Sequence, residues 1–303
     1  MSDTASCQTF AGRVALIAPA AAIAVEALEA TYARLTALGI NYLPGAYVQA
    51  RHRYLAGTLE ERLTDLYTAY ENPETTAVWC LRGGYGCAHL LPHIDWQRLR
   101  RVTPKPLIGF SDISVLLSDF HRHGLTGIHG PVATAWARSY DEAEQQEIHE
   151  ASLFSLLDLL KEQLHTLPTR QLSGPKDAIR GPLIGGNLTA LASVAGTAHG
   201  LYVPPRSILI LEDVGEPYYR IERSLWQLLH SIDRHQLGAV CLGTFTDCPR
   251  KGVAHSIEEI VAEWLAPWDI PLYAGLPSGH GPANRAWPYG RDATISATEL
   301  RWA

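Results

Sequence analysis

Short apolar runs alternate with helical periodicity along the first part of the chain. Residues 14–18 (VALIA), 77–81 (AVWCL) and 106–110 (PLIGF) are compact apolar runs, the pattern of strands buried on both faces. Residues 24–38 carry a helical repeat that stops at Gly39. Residues 59–70 carry another, opened by Thr58 with Glu61 three residues on, a capping box. A helix-like stretch ends near Pro92, and residues 112–121 read as the helix after the third run. Strand–helix alternation of this kind predicts an α/β fold: a parallel sheet with helices on both faces, Rossmann- or flavodoxin-like.

The character changes after about residue 150. Residues 151–164 look helical, and residues 166–180 hold Pro168, Ser173, Gly174 and Pro175. Such a cluster reads as a linker between an N-terminal domain of residues 1–165 and a C-terminal domain of residues 181–303. The second part shows strand patterns at 207–211 (SILIL), 239–245 and 271–276, and helical ones at 221–232 and 257–265. Ser256 and Glu259 form a second capping box, and residues 293–296 read as a sheet edge. Strands and helices thus alternate in the second part as well.

Composition narrows the class. The 303 residues are 47% hydrophobic and 18% charged, with a formal net charge of -6 and no Lys/Arg run. Nucleic acid is a poor partner for such a surface. Five cysteines, Cys7, Cys80, Cys87, Cys241 and Cys248, form no CxxC pair. Free thiols in a reducing compartment fit that odd count, and zinc-finger spacing is missing. The apolar run after Arg13 resembles the core of a signal peptide, but Asp3, Pro19 and its passage into a helical pattern count against one. No apolar stretch is long enough to span a bilayer. A cytoplasmic setting without membrane contact is expected.

Three polar residues follow apolar runs: Ser111 after LIGF, Glu212 after SILIL and His280 after PLYAGLPSG. Ligands bind outside the carboxyl ends of strands in open α/β sheets, so the three could converge. Their types are those of a nucleophile, an orienting carboxylate and a general base. Each also has a plain structural reading. Ser111 or Asp112 can cap a helix. Glu212 can pair with Arg220 or Arg223, and Asp213 rivals it for the orienting role. His280 is one of thirteen histidines, most of which serve structure.

The turn Arg82-Gly83-Gly84-Tyr85-Gly86 can present backbone N–H groups to an oxyanion, with Arg82 as a clamp for a carboxylate, or be a surface turn. It matches neither GxGxxG nor GxxxxGK[ST]. HExxH is absent, and Pro92 disturbs a shared helical face for His89 and His93, so no metal site is expected.

LRGGYG (81–86), IGFSD (108–112), GGNL (185–188), LEDVGEPYYRIER (211–223) and GHG (279–281) occur in that order. Together they resemble the LD-carboxypeptidase family of serine peptidases, the muramoyltetrapeptide carboxypeptidases. The resemblance implies a Ser111–Glu212–His280 triad, with Glu212 favoured over Asp213. It implies oxyanion donors at the amides of Asp112 and Gly84, and a site in the cleft between an α/β N-terminal domain and a smaller, sheet-rich α/β C-terminal domain. It also implies homodimers, no cofactor or metal, and a murein peptide substrate met in the cytoplasm during cell-wall recycling. Arg82 and Asn187 become candidate substrate contacts. A second branch of the resemblance cleaves peptidyl-adenylates of the microcin C type. Phe110 departs from the family pattern, since some relatives carry a polar residue there. Two readings from other classes remain open: a non-catalytic binding protein on the same scaffold, and an amidotransferase-like enzyme with Cys87 as nucleophile.

Overall fold

The computed structural model describes residues 12–303; Asp3 and Cys7 lie outside them. The chain runs β1 (Arg13–Ile17), α1 (Val25–Ala37), β2 (Asn41–Pro44), α2 (Leu59–Glu71), β3 (Thr75–Cys80), α3 (Trp96–Arg100), β4 (Leu107–Gly109), α4 (Ser114–Arg122) and β5 (Gly127–His129). Then come α5 (Ala143–Leu160), β6 (Thr166–Pro168), β7 (Arg170–Ser173), β8 (Ile179–Asn187), α6 (Leu188–Ser193), β9 (Ser207–Val214), α7 (Tyr218–Ser231) and β10 (Leu237–Thr246). It closes with α8 (Ile257–Leu265), β11 (Leu272–Ala274), β12 (Trp287–Tyr289), β13 (Asp292–Ile295) and β14 (Glu299–Trp302).

Five parallel strands form the first sheet in the order β5-β4-β3-β1-β2. That is the flavodoxin-like order, with its switch point between β1 and β3. The central strands read as apolar runs because both faces are covered: Val78, Trp79, Leu107 and Ile108 are buried. Both capping boxes form. The Thr58 amide donates to Glu61 Oε2 at 2.7 Å, and the Ser256 amide to Glu259 Oε2 at 2.7 Å.

The second sheet runs β6-β14-β13-β8-β9-β10-β11-β7. Its core, β8 to β11, is parallel, and antiparallel strands flank it. Three expectations change here. The stretch 166–180 carries β6 and β7, the two margins of this sheet, separated only by Thr169. Its prolines suggested a linker, yet Pro168 sits on a marginal strand, where a missing N–H is tolerated. β13 is not an edge but lies between β14 and β8. And β12, far along the second part, adds antiparallel to β5 of the first sheet. Thus the first sheet is completed by chain from the second part.

Helix α4 also joins them. Its Ser114 hydroxyl accepts the Asn187 amide of β8 at 3.0 Å, and its Ser118 hydroxyl accepts the Tyr202 amide at 3.0 Å. Residues 112–121, expected as one helix, instead begin with a 3₁₀ turn at Ser111–Ile113 before α4. The stretch expected as helical before Pro92 is two short 3₁₀ turns, Cys87–His89 and Leu91–His93.

Candidate active site

Strand β4 delivers Ser111. The chain leaves Gly109, stays extended at Phe110, then turns sharply with Ser111 at φ 65°. A left-handed serine between a strand and a helix throws its side chain outward, ahead of the unpaired amides that open the helical segment. The glycine turn after β3 lies against it. A β-carbon on Gly83 would lie 2.9 Å from Ser111 Cβ, so any side chain there would crowd the serine and shift its hydroxyl. The neighbouring Gly84 is exposed.

Two polar ties fix that turn. The Cys87 amide donates to Asp112 Oδ2 at 2.9 Å. Arg62, buried on α2, donates through Nη1 to the carbonyls of Pro19 at 2.8 Å and Gly86 at 2.9 Å. Burial pushes the Asp112 carboxyl above its usual range, an effect opposed by the Cys87 hydrogen bonds.

Glu212 comes from β9, which continues past the apolar run to Val214. Its carboxylate is fully buried, and Oε2 meets His280 Nδ1 at 2.7 Å. His280 Nε2 lies 3.0 Å from Ser111 Oγ. Carboxylate, imidazole and hydroxyl therefore form one hydrogen-bonded row assembled from residues far apart in the chain. The loop carrying His280 passes close over β10. A β-carbon on Gly279, φ 142°, would collide with the Thr244 hydroxyl and lie 3.1 Å from Glu212 Oε2.

Asp213, the rival carboxylate, points to the other face of the strand. It accepts from Asn187 Nδ2 at 3.1 Å, the Thr189 amide at 3.0 Å and the Thr189 hydroxyl at 2.7 Å. The same network occupies Asn187, whose Oδ1 accepts the Ala190 amide at 2.9 Å and caps α6. Its carboxamide is thereby held in the scaffold from both ends. Arg82 is exposed, with Nη1 donating to the Ala22 carbonyl at 2.9 Å. Arg220 meets Glu216, and Glu212 meets His280.

Cys87 is a poor nucleophile. Burial, then the neighbouring Asp112, pushes its thiol well above the usual range. Among the described residues no group of three or more His, Cys, Asp or Glu could hold a metal ion. Arg62 and Ser114 have no place among the residues that the sequence points to. Arg62 carried no local signal, since its carbonyl partners lie 43 and 24 residues away.

Residues 14–130 match the LD-carboxypeptidase N-terminal domain, and residues 180–295 match the LD-carboxypeptidase C-terminal domain. The chain belongs to the LD-carboxypeptidase family. It is 62% identical over 297 residues to the murein tetrapeptide carboxypeptidase of Pseudomonas aeruginosa, covering 97% of this chain and 96% of that one. It is 29% identical to a probable murein peptide carboxypeptidase of Bacillus subtilis, covering 94% and 89%. The crystal structure of a muramoyltetrapeptide carboxypeptidase from Oxalobacter formigenes superposes with TM-score 0.82 at 27% identity, over 96% of this chain and 98% of that one. The microcin C7 self-immunity protein MccF shares the fold, with TM-score 0.85 at 19% identity over 96% of both chains. No helix among the described residues is long and apolar enough to cross a membrane.

Proposed function

We propose that this LD-carboxypeptidase removes terminal D-alanine from murein tetrapeptides by serine catalysis at Ser111, with His280 as base and Glu212 as its orienting partner. The unbroken row of hydrogen bonds, 3.0 Å and then 2.7 Å, carries the reading. His280 takes the hydroxyl proton as Ser111 Oγ attacks the carbonyl between the L-centre of the diamino acid and D-alanine. The amides of Asp112 and Gly84 receive the oxyanion. The tetrahedral intermediate collapses, the C–N bond breaks, and His280 returns its proton to the departing D-alanine amine. Water, deprotonated by His280, then attacks the acyl ester and frees the tripeptide and the serine. Glu212 holds the imidazole tautomer with its acceptor nitrogen at the hydroxyl and balances the imidazolium that forms.

Arg82, exposed beside the glycine turn, is assigned the free carboxylate of the substrate. A cytoplasmic setting belongs to the same reading, supported by free thiols at Cys80, Cys87, Cys241 and Cys248. So does a homodimer, which sedimentation would reveal.

The test is mass spectrometry of the purified protein with murein tetrapeptide and, in parallel, with a peptidyl-adenylate. Loss of one alanine from the first alone is expected; cleavage of the second alone would move the enzyme to the other branch. Ser111→Ala should lower kcat by roughly 10⁵–10⁶-fold while the protein still folds.

A further inference from the structure

Behind His280 lies a buried aromatic row that no step above uses. His129 ends β5 and is fully buried, with neither ring nitrogen hydrogen-bonded. Its ring stacks on Trp287 of β12, centroids 4.6 Å apart and planes 13° from parallel. Phe110, next to the nucleophile, meets His129 edge-on at 6.0 Å and leans on the His280 imidazole at 4.8 Å. Trp287 also donates its indole N–H to Ser278 Oγ at 3.1 Å, two residues before His280. Ser278 is itself fully buried, and its carbonyl accepts the Thr244 amide at 2.8 Å. The row thus touches the His280 loop at its root, through Ser278, and at its ring, through Phe110.

A buried imidazole with both nitrogens unpaired calls for explanation, since an apolar ring would fill the space without desolvating two polar atoms. Its flatness is what the neighbours use. The Nδ1 bond to Glu212 fixes one point of the His280 ring and leaves rotation about that point. Phe110 stops the rotation only while something stands behind Phe110, and His129 stands there, braced by Trp287. Burial, then the nearby His280, pushes the His129 pKa down to about 3, so the brace carries no charge against the imidazolium that catalysis forms next to it.

We propose that His129 and Trp287 are positioning residues: their stack, built between the paired strands β5 and β12 at the margin of the first sheet, holds the His280 imidazole at the Ser111 hydroxyl through ring shape. This rests on the triad reading above.

The experiment measures the rate of serine labelling by a fluorophosphonate, together with kcat and KM on murein tetrapeptide. His129→Phe keeps the ring and should stay within about 3-fold of wild type in both rates. His129→Asn keeps polarity without the ring. It should slow labelling and kcat in parallel by roughly 10–100-fold, with KM nearly unchanged. Trp287→Phe keeps a stack, loses the Ser278 bond, and should fall between them. Thermal melts confirm that each variant is folded; if Trp287→Phe is not, the two His129 variants decide alone. The reverse pattern, Asn tolerated and Phe not, would overturn the proposal in favour of a hydrogen-bonding role. A raised KM with intact kcat, or no effect of either His129 variant, would also overturn it. Labelling does not depend on the peptide, so a wild type that labels but spares tetrapeptide would fail the substrate reading and leave this test standing. Equal labelling of Ser111→Ala would remove the triad and the proposal with it.

Discussion

Ser111 holds a left-handed backbone that a β-carbon resists, at about 1–2 kcal/mol for an L-residue. The serine keeps that strain because its hydroxyl must face His280. Ser111→Gly should therefore be more stable than Ser111→Ala by about 1 kcal/mol in chemical denaturation, both being inactive. Gly83 is a different case, because its constraint is space. Gly83→Ala should fold well and lower kcat by about 10²-fold, since the new methyl displaces the hydroxyl it touches. Acid should expose His129. Its folded pKa of about 3 lies below the ordinary 6.5, so the unfolded chain takes up the proton first as pH falls. Its contribution to stability is complete above about pH 6.5 and is lost on the way down to about pH 3. His121 and His149 shift in the same direction through burial. His129→Phe should thus show a smaller, not absent, fall in Tm between pH 7 and pH 4.5. The three members of the hydrogen-bonded row were legible because each follows an apolar run that ends in a polar break. His129 was not legible, because its strand is three residues long and its partners come from β12 and Phe110.

At the scale of elements, the glycine turn is held from below by α2. Arg62 spans from that helix to the carbonyls of Pro19 and Gly86, one just beyond β1 and one in the turn. Arg62→Met leaves both buried acceptors unmet and should lower stability by about 2–3 kcal/mol in urea unfolding. Arg62→Lys should recover only part of that, because an ammonium cannot reproduce the planar fork. Elements with local signals were readable: α1 by its repeat, α2 and α8 by their capping boxes, β1, β3 and β10 by apolar runs. The short strands β2, β5, β6, β7, β12 and β14 were not, since each takes its strand character from partners distant in sequence. β8 was hidden by its paired glycines, of which Gly185 lies close against the Ile210 backbone of β9 and Gly186 against Ser114 of α4.

The whole molecule is more interlocked than the pattern of runs suggested. β12 completes the first sheet, α4 is bonded to β8, and the margins of the second sheet are adjacent in sequence. Heating should give one calorimetric transition rather than two, with calorimetric and van't Hoff enthalpies equal. Residues 1–165 expressed alone should not give a cooperative melt, because β5 would lose β12 and His129 the ring it stacks on. The fold class was legible because alternation survives in each half. The sharing of chain between halves was not, because nothing local marks a three-residue strand as belonging elsewhere. That stitching also has a meaning for biosynthesis. A ribosome emits Ser111 first and His280 only 169 residues later, with Trp287 behind it, so under the proposed mechanism a nascent chain has no means to cut until that stretch has followed.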